Sequence, residues 1–357
     1  MDEKELAQIS NCAMCANMCK HNCPAYLASG SETNTPQKIA RLILYEEKAF
    51  IEDRNGFCDV MFRSAMCGAC RKHCIYGDYD LRKYIQKGRR KAFTEGLLPD
   101  ETRKRVETLK RYGNPNGERQ LINRGTGDTG YFVACSAYQD SELLAAMERI
   151  ISASGEQVHR FGGADLCCGA PLYYAGDMEG FEKTAKKMAG EIETRKLKKV
   201  ITDCPNCLKM MTEIYREVGV NPDVEFSHTT EYLSDFIGQG RIKVNMRNGT
   251  ATYHDPCILA NDLDITEAPR EIIAALGLET KEPVYSREDT HCCGGPSGAR
   301  IGDSGLNDKV RSMRVNELKV TGADFFVTSC PTCKAVLAAS NMKNISELVA
   351  EQLTDER

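Results

Sequence analysis

The chain has no tryptophan, only 7% aromatic residues and no uninterrupted run of 18 apolar residues. The missing apolar run predicts no membrane-spanning helix. Its first residues, MDEKELAQIS, lack the basic region and apolar stretch of a secretory leader, so the expected location is cytoplasmic. There is no excess of positive charge either. With 47 Lys or Arg against 51 Asp or Glu, the formal charge is -4, and no global field favours nucleic acid. Disorder is excluded by a hydrophobic fraction of 41% over 357 residues, enough to bury the cores of two or three domains. The abundant residue is cysteine, with 18 copies. In a reducing compartment such a number points to metal ligands or redox groups rather than disulfides.

The cysteines fall into three blocks. The first holds Cys12, Cys15, Cys19, Cys23, Cys58, Cys67, Cys70 and Cys74. The second holds Cys135, Cys167, Cys168, Cys204 and Cys207, and the third Cys257, Cys292, Cys293, Cys330 and Cys333. The last two repeat one pattern, a lone Cys, a Cys-Cys-Gly and a Cys-Pro-x-Cys, at offsets of 122, 125 and 126 residues. A near-constant offset with the same local words implies two copies of one structural unit. A single buried cysteine is usually just a small hydrophobe, but packing alone would not generate two superimposable quintets.

Each copy reads as strands alternating with helices. GYFVAC and TATYHDPC precede the lone cysteines, VITDC and FFVTSC precede Cys-Pro-x-Cys, and QVHRFGG and PVYSRED suggest a third strand before Cys-Cys-Gly. Leu143, Leu144, Met147, Ile150 and Ile151 follow helical spacing, as do Leu208, Met211, Ile214 and Tyr215. The alternation predicts small parallel sheets with the cysteines beyond the carboxyl ends of the strands. Gly169, Gly294 and Gly295 suit a tight turn beside each cysteine pair.

Zinc is the rival ligand, because Cys-x-x-Cys is half of many structural zinc sites. Zinc and a cubane iron-sulfur cluster each take four ligands, whereas each repeat offers five cysteines. Either one thiol per repeat is free for redox chemistry, or the five hold something larger than a cubane. The run C-x31-C-C-G-x34-C-P-N-C, followed by C-x34-C-C-G-x35-C-P-T-C over roughly residues 128 to 340, resembles the paired CCG domain of heterodisulfide reductase catalytic subunits. That resemblance implies a non-cubane 4Fe-4S cluster on each complete quintet and a disulfide cleaved between the two. Related CCG proteins serve as iron-sulfur subunits of anaerobic glycerol-3-phosphate dehydrogenase, glycolate oxidase and lactate-oxidising complexes, some with incomplete quintets.

Toward the N-terminus, Cys12, Cys15, Cys19 and Cys23-Pro24 match the two-cluster ferredoxin run with one extra residue before the third cysteine. The second run has Ser64 where the first cysteine should stand, then Cys67, Cys70 and Cys74, with Ile75 in place of the closing proline. Swapped ligation gives one cubane Cys12, Cys15, Cys19 and Cys74, and the other Cys23, Cys67, Cys70 and a missing fourth. Cys58 is the cysteine left to supply it; the alternatives are Ser64 oxygen, or a three-iron cluster with Cys58 as a packed spectator. Thr35-Pro36 predicts a helix start, with Ile39, Leu42 and Ile43 on its apolar face. This part is similar to the helical ferredoxin domain of the reductase's electron-delivering subunit, so the chain resembles a fusion of the two subunits.

The expected fold is α+β and multidomain. A helical two-cluster ferredoxin domain (1–110) is followed by two repeated α/β CCG domains (128–245 and 246–357), each with a small parallel sheet. Expected cofactors are two cubane and two non-cubane 4Fe-4S clusters, and the alternative role is a non-catalytic electron relay. Gly125, Gly127 and Gly130 precede a strand and form no dinucleotide fingerprint, so electrons are expected from a flavoprotein or another redox subunit. From Arg82 to Arg119, 12 Lys or Arg stand against five Asp or Glu, either a docking face for an acidic partner or a solvated connector. His254 and His291, close before cysteines, could protonate a departing thiolate but more often such residues donate hydrogen bonds to ligands.

Overall fold

The computed structural model describes residues 1–77, 79–117, 120–163, 166–295, 303–338 and 341–354. The first third is helical: α1 (Glu3–Met14), α2 (Pro24–Ser29), α3 (Pro36–Glu47), α4 (Arg54–Arg63), α5 (Ala69–Lys72), α6 (Leu81–Thr94) and α7 (Asp100–Tyr112). Asp2 caps α1 in a reciprocal arrangement with Glu5, whose backbone N–H donates to Asp2 Oδ1 at 2.8 Å. Thr35 caps α3 with Pro36 at its first position, where a missing N–H costs nothing. The buried stripe of α3, Ile39, Ala40, Ile43 and Leu44, faces a core shared with α1 and α6.

The first α/β unit runs β1 (Leu121–Arg124), β2 (Thr129–Val133), α8 (Ser141–Ser154), β3 (Val158–Gly163), α9 (Ala170–Ala175), α10 (Met178–Thr194), β4 (Lys199–Thr202), α11 (Pro205–Thr212), β5 (Glu225–His228) and α12 (Thr229–Gly238). Its sheet order is β1-β3-β2-β4-β5, parallel except for the edge strand β1. The second unit runs β6 (Thr250–His254), α13 (Cys257–Asn261), α14 (Glu267–Ala275), β7 (Glu279–Thr280), α15 (Ser304–Val320), β8 (Phe325–Thr328), α16 (Pro331–Val336), β9 (Met342–Asn344) and α17 (Ile345–Glu351). Its all-parallel order, β7-β6-β8-β9, retraces β3-β2-β4-β5. The copies embrace reciprocally: α17 packs on α8, and α12 on α14, so the last helix of each covers the first long helix of the other. Such self-complementary pairing is what a two-fold relation between like units produces.

Two local expectations change. PVYSRED is not a strand; the second unit's edge strand is the two-residue β7, and Arg287–Asp289 forms a 3-10 turn. Pro283 removes a ladder donor, and the Arg287 N–H is taken by Asp255 Oδ2 at 2.8 Å. The helix after Cys204 stops at Thr212, and a separate 3-10 turn, Ile214–Val218, carries Ile214 and Tyr215. That turn brings the Tyr215 hydroxyl to the carbonyl of Cys168 at 3.1 Å.

Arg89 joins the helical part to the first α/β unit. Fully buried, it donates to the carbonyls of Met61 (3.0 Å), Ser64 (3.0 Å) and Tyr174 (3.2 Å). Burial without a carboxylate partner pushes its guanidinium down to about 10. Among the described residues, no helix is long and apolar enough to cross a membrane.

Candidate metal centres

The first quintet is assembled where three adjacent parallel strands end. Cys135 follows β2, Cys167 and Cys168 follow β3, Cys204 caps α11 after β4, and Cys207 lies in its first turn. In the second copy Cys257 opens α13, and Cys330 caps α16 ahead of Cys333. Pro205 and Pro331 occupy first helical positions, so each Cys-Pro-x-Cys is at once ligand pair and helix start. The thiols converge: Cys168 and Cys207 Sγ are 3.2 Å apart, and Cys293 and Cys333 Sγ 3.3 Å. Cys135 reaches Cys167, and Cys257 reaches Cys292. Gly169 and Gly294, at φ +80° and +78°, turn their N–H groups onto the Sγ of Cys167 and Cys292, both at 3.4 Å. The expected reason for glycine is sharpened: a Cβ would strike Phe181 at 2.8 Å and the Asn307 carbonyl at 2.9 Å, so the helix behind the loop sets the constraint. Gly295, without a positive φ, would set such a Cβ 3.1 Å from Cys293 Sγ and 3.2 Å from Thr332 Cγ2.

The close sulfurs divide the thiols electrostatically. Sulfur hydrogen bonds from Cys167 and Cys207 pull the Cys168 thiol down to about 6, while sulfur contacts and burial push Cys207 and Cys135 well up. In the second quintet Cys292 and Cys330 go down by the same kind of contact, and Cys257, Cys293 and Cys333 go up. Without a cation most of these thiols stay protonated; a positive core among them would stabilise all five as thiolates. The donors are soft, mostly buried, and one more than tetrahedral zinc takes, which fits an iron-sulfide core.

In the helical part, Cys12, Cys15, Cys19 and Cys74 form one group. Burial pushes Cys12 up to about 11, with Cys74 and Cys15 adding negative field, and Cys19 up to about 12, with Cys12, Cys23, Cys15 and Cys74 nearby. Cys23, Cys67 and Cys70 line a separate cavity of about 30 Å³ together with Ser64. Cys58 does not line it. On α4, Cys58 is buried in the apolar core, which pushes it up to about 11, and its charged neighbours are Glu95, Arg54 and Glu46, with no sulfur. The expectation that Cys58 completes the second group is therefore corrected: α4 buries it in the core, and it is Ser64 that lines the cavity with the three thiols.

The groups also have an order. Cys19 neighbours Cys23, and Cys70 neighbours Cys19, so the two helical groups adjoin. Cys67 lies against Cys292 and Cys257 of the second quintet, in one buried cluster with Ala65, Ala69 and Ile258. The first quintet instead opens outward. Its half-buried Cys135 lines a cavity of about 390 Å³ together with Pro331 and Thr332, which lie between Cys330 and Cys333 of the other unit.

Two ion pairs, one buried and one half-buried, absent from the sequence reasoning, tie the two units together. Lys209, after Cys207, holds Asp262 of the other unit at 2.7 Å, and Lys334, after Cys333, holds Asp140 at 2.8 Å. Asp140 and Asp262 each stand five residues beyond a lone cysteine, a repeat signal legible in the sequence. Asp262 also takes Arg82 at 2.7 Å, which is bound in turn to Asp80 at 2.7 Å. The basic stretch behaves largely as a connector: Arg82 and Arg89 are buried, Lys87 pairs with Glu5, and Lys110 with Asp177. His254 and His291 are buried and bonded in place, by Arg314 and by Glu317, and neither lines the cavity at Cys135.

The cysteine-rich CCG domain matches residues 129–212 and again 251–338. This is a protein with two CCG domains. Over 98% of its length it is 26% identical to a dihydromethanophenazine:CoB–CoM heterodisulfide reductase subunit of Methanosarcina mazei, covering 95% of that relative. It is 23% identical to EtfAB:quinone oxidoreductase of Syntrophomonas wolfei, over 94% of this chain and 55% of that one. It is 25% identical to a fumarate reductase (CoM/CoB) subunit of Methanothermobacter marburgensis, over 93% and 68%. A hypothetical protein from Helicobacter pylori shares the fold of the CCG protein at TM-score 0.60, with 10% identity, over 88% of this chain and 67% of its own.

Proposed function

We propose that this chain is the iron-sulfur subunit of a heterodisulfide reductase-like oxidoreductase, accepting electrons from a redox partner such as a flavoprotein and reducing a disulfide or related substrate. When bound, 4Fe-4S clusters would supply one-electron transfer steps. In this reading Cys12, Cys15, Cys19 and Cys74 hold one cubane, and Cys23, Cys67 and Cys70 ligate a second beside Ser64. The quintets Cys135, Cys167, Cys168, Cys204, Cys207 and Cys257, Cys292, Cys293, Cys330, Cys333 hold two non-cubane clusters. The order of the sulfur groups supports electrons arriving at the half-exposed Cys15, Cys19 and Cys74 and passing through Cys67 to the second CCG domain.

The observation that carries the reductase reading is the cavity lined by residues of both CCG domains, with Cys135 in its wall. A relay has no use for such space, whereas a small disulfide needs a place beside a reducing centre. The reaction consumes two electrons and two protons per disulfide and yields two thiols. Arg105, Asn116 and Ser136 offer polar contacts to orient a substrate there. The kinship with an EtfAB:quinone oxidoreductase favours the second reading, an electron relay from a flavin dehydrogenase or electron-transfer flavoprotein. The test is anaerobic turnover of small disulfides with reduced viologen, using the native chain and Thr332→Trp. Disulfide turnover abolished by the tryptophan, with viologen still reducing the clusters, supports reductase chemistry. No turnover by the fully loaded native protein supports the relay.

A further inference from the structure

The two CCG domains carry different residues around their lone cysteines. Three residues before the lone cysteine, the second domain has His254 and the first has Phe132. His254 is fully buried at the end of β6, and its Nδ1 receives a hydrogen bond from Arg314 Nε at 3.0 Å. A guanidinium has only donors, so Nδ1 must present its lone pair and the ring proton must sit on Nε2. Nε2 is buried and has no hydrogen-bond partner. A ring nitrogen of His254 lies within 4.8 Å of the Sγ atoms of both Cys293 and Cys333, and Nδ1 is already engaged. With Nδ1 held by Arg314, the Nε2–H is the ring group left to meet those sulfurs.

Arg314 is itself held. It donates to the Tyr285 carbonyl at 2.8 Å and to Glu317 Oε2 at 3.0 Å, so the orienting group is fixed from three sides. The first domain has no counterpart among its described residues. Phe132 packs on Phe161, with ring centroids 5.4 Å apart, and the buried residues of α10, which corresponds to α15, are Phe181, Ala185, Met188 and Ile192.

We propose that His254 is a positioning and tuning residue whose Nε2–H donates to the ligating sulfur of Cys293 or Cys333, making the second CCG centre the higher-potential member of the pair. The inference rests on the reading that this quintet holds an iron-sulfur cluster. Reduction adds negative charge, and an N–H aimed at a ligand sulfur stabilises the reduced state more than the oxidised one. The second quintet is also the one against Cys67, so the asymmetry favours electron arrival from the helical domain.

The experiment is a potentiometric titration of the anaerobically loaded full chain, followed by EPR, for the native protein, His254→Phe and His254→Gln. His254→Phe copies the first domain; His254→Gln keeps a donor. The expected result is a downward shift of one cluster's midpoint in His254→Phe, partial recovery in His254→Gln and unmoved midpoints for the others. Unchanged midpoints in a folded, fully loaded His254→Phe protein overturn the proposal. Should that variant fail to fold, native protein carrying 15N-histidine decides by electron-nuclear double resonance: imidazole coupling to a CCG cluster supports the bond, and no coupling refutes it. A native protein with no CCG-type signal refutes the cluster reading itself, and this inference with it.

Discussion

Replacing Asp262 with asparagine should be among the most damaging changes outside the cysteines. The carboxylate is 3% exposed and sits 2.7 Å from both Arg82 and Lys209, one from the helical part and the other from the first CCG domain. At an effective dielectric of about 20, each contact is worth roughly 6 kcal/mol of gross attraction, most of it offset by desolvation. Asp262→Asn keeps the shape and removes the charge. Arg82 retains Asp80, but among the described residues Lys209, 10% exposed, has no other carboxylate within ion-pair distance. Stranding one buried cation costs about 3–5 kcal/mol. With an unfolding entropy of about 2.1 cal/mol/K per residue, a single cooperative transition should move down by about 4–7 °C. Differential scanning calorimetry on loaded protein measures this. In a Lys209→Met background the same substitution should cost at least about 1 kcal/mol less, because the stranded cation is already gone. A shift within about 1 °C, or strict additivity in the double variant, would refute the reasoning.

Cys58→Ser should leave iron content and all EPR signals unchanged, at a stability cost of about 1 kcal/mol, while Cys70→Ser should remove one cubane signal. Gly169→Ala forces a Cβ into Phe181 at φ +80° and should cost about 1–3 kcal/mol, with iron lost from the first quintet before the second. Burial holds His228 down to about 4, with Nδ1 accepting from the Thr230 N–H and Nε2 donating to the Asp203 carbonyl. Its folded value lies below its unfolded one. Its contribution is therefore fully present above about pH 6.5 and is lost progressively as pH falls toward 4, by about 3 kcal/mol in all. His228→Asn should flatten the thermal midpoint's dependence on pH across that window; an unchanged slope would assign the acid sensitivity to other groups.

The quintets were legible because their spacing is set locally: a cysteine at each strand end, and a Cys-Pro-x-Cys that also starts a helix, survive as words in the sequence. The placing of Cys74 beside Cys12, 62 residues away, followed from the swapped-ligation pattern of two-cluster ferredoxin runs and not from local spacing. What spacing could not show depends on packing between distant segments. Counting ligands drew Cys58 into a site, whereas the α4 face it occupies turns it into the core. PVYSRED has the composition of a strand, but Pro283 and the Asp255 bond to Arg287 override it. His254 stood out in the sequence, yet its role depends on Arg314, 60 residues away on another element. The contact of Cys67 with the second quintet is likewise a property of how the helical part packs on the second α/β unit.

The central claim is that four groups of cysteines hold four clusters. Its most direct test is the metal and acid-labile sulfide content of anaerobically purified protein. About 16 iron and a matching amount of sulfide per chain is the expected result. About eight iron, or zinc without sulfide, would contradict it.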